Sequence, residues 1–94
     1  MLTNREKKYL KGLAQTRRPL FQVGKDGVTA NMMIGIDDAL EAHELVKITL
    51  LKTCPQTIED VRSQVSSATY SDVIQVIGKT AVFYRKSKKN KLGL

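Results

Sequence analysis

The spacing of apolar residues in this chain alternates between two periods, and that alternation restricts its possible folds more than any other feature. Segments with the three-to-four-residue repeat of an amphipathic helix are separated by short runs rich in β-branched residues, which are typical of strands. The predicted order is helix, strand, helix, strand, helix, strand, strand. Such alternation is typical of α/β folds, in which helices pack against a largely parallel sheet.

Three threonines mark the predicted helix starts. Thr3, with a glutamate three residues later, matches the capping box, so the first helix is predicted at about residues 4–16. Thr29 is the predicted cap of a second helix that ends near His43, and Thr57 opens a third. Each of these segments has apolar residues on one side, so each helix is expected to bury one face.

The remaining apolar runs predict four strands. Residues 20–23 and 45–51 form the first two, and the last two flank Gly78-Lys79, where a glycine at the first central position suits a type II′ hairpin turn. Strands separated by helices are expected to be parallel, and the fourth should return antiparallel through the hairpin. The prediction is one domain over residues 1–86, a two-layer sandwich with a mixed four-stranded sheet, followed by a disordered basic tail at residues 87–94.

Positive charge is concentrated at the two ends of the chain. The 94 residues carry a net charge of +7; residues 1–25 hold seven Lys or Arg against one acid and residues 79–94 hold six against none, while residues 26–78 hold three against eight. A cationic surface attracts phosphate backbones by counterion release, and it also attracts anionic lipid. Charge alone does not distinguish these partners.

The carboxyl ends of the three parallel strands are expected to meet at one edge of the sheet. The stretch GKDG follows the first strand, and Lys52 and Lys79 follow the second and third, so these lysines and Lys25 should line that edge. The amino ends of the second and third helices, with unpaired amides, open there too. This arrangement suits a phosphodiester. Alternatively, the glycines of GKDG only make a tight turn, with Asp26 as a turn former.

Further basic residues lie away from that edge. Lys8, Lys11 and Arg18 project from the outer side of the first helix. The fourth strand runs in the opposite direction, so Arg85 and Lys86 should lie at the far edge of the sheet, near the end of the first helix. The basic surface is therefore predicted as one continuous region or as two separate patches.

No enzyme motif emerges from the sequence. Gly78-Lys79-Thr80 resembles the end of a phosphate-binding loop, but the required earlier glycine and following helix are missing. Cys54 and His43 are single, without the partners of a nucleophilic or zinc site. We expect no catalysis, cofactor, metal or small-molecule substrate. No apolar stretch approaches the roughly 20 residues of a membrane span, so a cytoplasmic protein is expected.

Four stretches resemble, in order and spacing, the CRM domain, whose name abbreviates chloroplast RNA splicing and ribosome maturation. They are LKGLAQ, VGKDGVT, ALEAHELVKI and QVIGKTAVFYR, and the resemblance covers about residues 2–86. The bacterial stand-alone version is the YhbY family. The resemblance implies a fold like the C-terminal domain of translation initiation factor three, and an RNA-binding protein that associates with precursors of the large ribosomal subunit.

The resemblance also implies which residues contact RNA. The family's GxxG loop falls on Gly24, Lys25, Asp26 and Gly27, with basic residues of the first helix and last strand in support. The full predicted set is Gly24, Lys25, Asp26, Gly27, Lys8, Lys11, Arg18, Lys79, Arg85 and Lys86. The alternative function is a basic protein-interaction adaptor with incidental RNA binding, and a membrane-surface role ranks third. The sequence leaves the oligomeric state open, with a monomer as the expectation.

Overall fold

The computed structural model describes residues 2–94 and has the predicted order of elements. The helices are α1 (Asn4–Gln15), α2 (Ala30–His43) and α3 (Ile58–Thr69), and the strands are β1 (Phe21–Val23), β2 (Leu45–Leu50), β3 (Asp72–Ile77) and β4 (Thr80–Tyr84). The first helix and the first two strands are each one residue shorter than predicted. The α/β class is confirmed.

The three threonine caps form as the sequence predicts. The hydroxyl oxygens of Thr3, Thr29 and Thr57 each accept a hydrogen bond of 3.1 Å from the amide three residues further along. At the first cap the Thr3 amide donates in return to the carboxylate of Glu6, at 2.8 Å. This backbone hydrogen bond holds the pKa of Glu6 below its ordinary value. Each cap satisfies an amide that the helix itself cannot pair.

The four strands form one mixed sheet in the spatial order β1-β2-β4-β3. β1 pairs parallel with β2, and β4 pairs antiparallel with both β2 and β3. The first three strands therefore run in the same direction, and the fourth runs against them, as predicted. Gly78 has a φ of +57° at the first central position of the β3–β4 turn, in agreement with the predicted type II′ geometry.

The helices flank the sheet on both faces, whereas the sequence predicts two layers. α2 and α3 cover one face, where their apolar residues pack with Ile48 and Phe83. α1 covers the other face through Leu10 and Ala14, which pack with Val82 and its neighbours in a second cluster. β4 is buried over four consecutive residues because both of its faces are covered. The arrangement is thus α1, sheet, then α2 with α3.

The C-terminal segment, residues 87–94, lies against the domain instead of forming the predicted disordered tail. The buried Glu44, just after α2, accepts hydrogen bonds from the amides of Ser87 at 2.6 Å and Leu92 at 2.7 Å. Leu92 and Leu94 pack against the apolar cluster beneath α1. The structure departs from the prediction because a buried carboxylate needs partners, and the amides of this segment supply them.

Candidate nucleic-acid interface

The ends of β1, β2 and β3 meet at one edge of the sheet, in agreement with the parallel arrangement predicted from the sequence. Val23 pairs with Leu50, and Thr80 lies between the ends of β2 and β3. The Leu50 amide also donates to the carbonyl of Lys79, at 2.8 Å. Lys25, Lys52 and Lys79 lie in the three loops at this edge, and all three are exposed.

The GKDG loop is a tight turn. The Gly27 amide donates to the Gly24 carbonyl at 3.0 Å, which leaves Lys25 and Asp26 at the two corners of the turn. Both corner side chains are exposed. The loop therefore presents one positive and one negative side chain beyond the end of β1.

The two glycines of this loop have different structural roles. Gly27 is buried with a φ of +67°, and a Cβ there would come within 2.7 Å of the side-chain oxygen of Gln56. The positive φ therefore favours glycine at this position. A Cβ at Gly24 would meet no other atom closer than 3.8 Å, so packing does not require a glycine there. The turn explains one of the two glycines and leaves the other available for a contact.

Gln56 joins the loop to α3. Its side-chain oxygen accepts from the amide of Val28 at 2.9 Å, and its side-chain nitrogen donates to Gln64 at 2.8 Å. These bonds hold the segment after GKDG against the third helix. Sequence analysis missed Gln56, because a single glutamine in a loop carries no pattern that reveals a partner so far along the chain.

The amino ends of α2 and α3 differ in charge. α2 begins without an acidic residue in its first turn, so its positive end is not balanced by a side chain. α3 carries Glu59 and Asp60 in its first turn, which already balance its dipole. On these charges the amino end of α2 favours an anion more than the amino end of α3 does.

Most of the other predicted contact residues are exposed on the α1 side of the sheet or at its edge. Lys8 and Lys11 lie on the outer side of α1, and Arg18 lies in the bend that follows it. Lys86 is exposed close enough to the start of α1 for its ammonium to contribute to the lowered pKa of Glu6, after the larger effect of the Thr3 amide.

Arg85 differs from the other predicted contact residues because its guanidinium is engaged within the fold. It forms an ion pair with Asp37 at 2.5 Å, approaches Glu41 at 3.7 Å and donates to the carbonyl of Thr69 at 2.9 Å. Its side chain is 19% exposed. The structure assigns Arg85 to linking the end of β4 with α2 and α3, a role that sequence analysis did not predict because the partners are distant in the chain.

Neither a membrane span nor a metal centre is found in residues 2–94. No helix in that range is long and apolar enough to cross a membrane. The same residues contain no group of three or more His, Cys, Asp or Glu side chains arranged to hold a metal ion. The described part of the chain thus offers exposed lysines, turn amides and a helix end as its candidate binding groups.

The fold and this lysine-lined edge define a small α/β domain that matches a known family along nearly its whole length. The model of the CRS1/YhbY (CRM) domain matches residues 2–85. The chain belongs to this family, and the resemblance found in its four sequence stretches is confirmed.

Similar proteins have been named or solved in several bacteria. The chain is 43% identical over 91 residues to the protein named "Probable RNA-binding protein YqeI" of Bacillus subtilis, covering 97% of this chain and 95% of that one. It is 31% identical over 93 residues to a Haemophilus influenzae protein named "RNA-binding protein", covering 99% and 94%. A Staphylococcus aureus protein solved in solution superposes with a TM-score of 0.80 at 43% identity, covering 98% and 96% of the two chains. These relatives are named for binding and not for catalysis.

Proposed function

We propose that this chain is a non-enzymatic RNA-binding protein of the bacterial cytoplasm that contacts ribosomal RNA precursor during assembly of the large ribosomal subunit. The observation that carries the proposal is the exposed Lys25 on a glycine turn, at the sheet edge where Lys52 and Lys79 also lie. The names of the relatives support RNA as the partner. The family resemblance supports the ribosomal RNA precursor as the RNA that is contacted.

The proposed contact is mainly with the phosphate backbone. Lys25 pairs with a phosphate, and the sterically open Gly24 lets the RNA backbone approach the main chain of the turn. The amides at the start of α2 lie just beyond the loop, without an opposing acid in the first turn. Asp26, also exposed, adds a negative charge to the same turn and limits how many phosphates the turn accepts.

Lys8, Lys11, Arg18, Lys79 and Lys86 extend this contact by long-range attraction. All of them are exposed, and none makes an ion pair among the described residues. Arg85 is left out of the proposed contact, because Asp37 already pairs with it. RNA recognition of this kind depends strongly on salt and weakly on base sequence.

Replacement of Lys25 by alanine tests this contact. We expect Lys25→Ala to weaken binding of unrelated RNAs by a similar factor of about five, and to lower the slope of log affinity against log salt by about one. Arg62→Ala is the matched control, because it removes the same charge from the exposed side of α3. Equal losses of RNA affinity in the two variants would contradict a specific role for the loop and would show that the affinity depends only on net charge.

The assembly role needs a measurement in cells. The chain is expected to sediment with precursors of the large subunit, and ribonuclease treatment should release it. An association of high mass that survives ribonuclease would instead favour the adaptor function, in which RNA binding is incidental. Crosslinking followed by sequencing of the attached RNA would identify the contacted element of the ribosomal RNA.

A further inference from the structure

α1 covers only part of its face of the sheet. Beneath it, Leu45, Ile74 and Val82 are buried in the second apolar cluster. Toward the edge that carries the GKDG loop, the same face is formed by Thr49, Gln75 and Thr80, which are half-buried, and by Ile77, which is 65% exposed. The sheet is therefore open between the last turn of α1 and the lysine-lined edge.

This open region contains a hollow of about 170 Å³ lined by Ala14 and Gln15 of α1 and by Lys47, Gln75, Ile77, Thr80 and Val82 of the sheet. Its polar groups are the amides of Gln15 and Gln75, the ammonium of Lys47 and the hydroxyl of Thr80. The Thr80 hydroxyl is 3.0 Å from the hydroxyl of Thr49. Amides and hydroxyls hydrogen-bond to the edges of bases, and an exposed isoleucine provides an apolar surface for a ring. These groups suit a nucleobase better than a phosphate.

A second hollow of about 270 Å³ continues from the first. The two share Ala14 and Lys47, and the second is also lined by Arg17, Arg18 and His43, together with Leu20 and Leu45. We call the two hollows together the α1 groove. Although the chain holds nine acidic residues, none of the described residues that line the groove is acidic.

Lys47 lies where the two hollows meet. Its ammonium donates to the carbonyl of Ala14, in the last turn of α1, at 3.3 Å and to that of Arg17, just after the helix, at 3.4 Å. These bonds fix the lysine at the junction, and an ammonium has a third donor for another partner. The groove thus holds a positioned positive charge between a polar, base-sized hollow and a more cationic one.

We propose that the α1 groove binds a single-stranded segment of RNA, with bases against Gln75 and Ile77 and phosphates toward Lys47 and Arg18. This inference rests on the proposed function and specifies the class of RNA. The path follows β2 from Thr49 to Leu45, a distance of about 13 Å at the rise of a strand. It connects the lysine-lined edge with the basic residues that follow α1, so the two patches belong to one site.

The groove selects unpaired RNA because paired bases cannot enter it. In a helical RNA the base edges are turned inward and the protein meets shape and backbone, whereas unpaired bases can be splayed into a cleft. None of the described residues lining the groove is Phe, Tyr or Trp, and its one imidazole, His43, lies in the second hollow. Recognition in the first hollow therefore depends on hydrogen bonds and apolar contact. This distinguishes the site from the aromatic platforms on which single strands commonly stack.

The test compares two probes and two variants in a fluorescence anisotropy titration. One probe is a single-stranded RNA of about eight nucleotides, and the other is an abasic strand with the same number of phosphates. The unaltered chain should bind the RNA about tenfold more tightly than the abasic strand. The double variant Gln75→Ala with Ile77→Ala should lose that difference while keeping its affinity for the abasic strand.

Ile34→Ala is the matched control, because Ile34 is 62% exposed on α2, on the opposite side of the sheet. This variant should bind both probes like the unaltered chain. Equal affinity of the unaltered chain for the two probes, or tighter binding of a duplex, would overturn the proposal. Loss of affinity in Lys25→Ala with both probes, while the base-dependent difference remains, would separate the loop contact from the groove. Failure to bind either probe would reject the proposed function as well.

Discussion

The two faces of the sheet carry opposite charge, although the chain as a whole is strongly basic. The α1 face presents exposed lysines and arginines, among them Arg5, Lys7, Lys8 and Lys11. The helices on the other face present Asp37, Asp38, Glu41, Glu59 and Asp60, with Arg62 as the one exposed cation within α2 and α3. The basic start and the acidic middle of the sequence therefore lie on opposite faces, and the sheet separates them.

The apolar surface is also distributed unequally. The α2–α3 face exposes Ile34 and Tyr70, the latter 89% exposed, beside a hollow that also includes Asp37. An acidic, apolar surface repels a polynucleotide, whereas the groove under α1 has cationic and polar walls. The comparison indicates which side of the domain can meet RNA, a conclusion that the net charge alone cannot give.

The largest expected difference between the faces concerns their cores. Phe83→Ala, on the α2–α3 side, should lower the free energy of unfolding by about 3–5 kcal/mol, because it removes a fully buried ring. Leu10→Ala, beneath α1, should cost about 2–4 kcal/mol for a smaller buried side chain. Urea unfolding of the two variants measures both. A negligible loss for Leu10→Ala would mean that α1 does not pack on the sheet.

A smaller effect is expected at Glu44, which fastens the C-terminal segment to the domain beside α1. Burial opposes its charge, but hydrogen bonds from the amides of Ser87 and Leu92 outweigh burial and hold its pKa below the ordinary value of 4.5. A lowered pKa stabilises the fold above the unfolded value, and this contribution disappears as the pH falls through the folded value. Glu44→Gln should therefore cost about 1.5–3 kcal/mol at neutral pH, and its difference from the unaltered chain should shrink in acid.

Unfolding measured across a pH series tests this, with Asp38→Asn as a control because Asp38 is an exposed carboxylate of α2 that does not hydrogen-bond to the C-terminal segment. A constant difference between Glu44→Gln and the unaltered chain at all pH values would show that the charge of Glu44 does not stabilise the segment. Faster hydrogen exchange in Glu44→Gln that is confined to residues 87–94 would show that the lost stability belongs to the segment held by these hydrogen bonds.

The smallest expected effect is the change in RNA affinity when surface charges are reversed on one face or the other. Lys8→Glu with Lys11→Glu should weaken RNA binding by about tenfold, or about 1.4 kcal/mol, at moderate salt. The opposite reversal on the other face, Asp38→Lys with Glu59→Lys, should change the affinity by less than about twofold, since those residues lie on the other side of the sheet. If charge reversal on the acidic face increased the RNA affinity as much as reversal on the basic face decreased it, net charge and not its position would determine binding.

The order of elements could be predicted because each one carries its own local signal. Threonines cap the helices, and Gly78 suits the hairpin turn, whatever lies elsewhere in the chain. Which face of the sheet α1 covers is determined by tertiary packing and not by a local signal in the sequence. The unbroken apolar run of β4, which leaves neither face polar, was the signal that both faces are covered.

The candidate site also contains some features that the sequence predicts and others that depend on contacts between distant residues. That three loops share one edge follows from strand direction, so Lys25 and Lys79 could be located from the sequence. The ion pair of Arg85 with Asp37 joins residues far apart in the chain, and so do the bonds of Lys47 to the end of α1. The groove beneath α1 exists because of that packing, and no local pattern predicts it.

The fastening of the C-terminal segment by Glu44 has a practical consequence for anyone who labels this protein. A fluorophore or affinity peptide joined after Leu94 begins where Leu92 and Leu94 pack against the layer beneath α1, and would compete with that packing. An attachment at an outward-facing position of α3, such as Ser63, leaves both the α1 face and the buried carboxylate undisturbed.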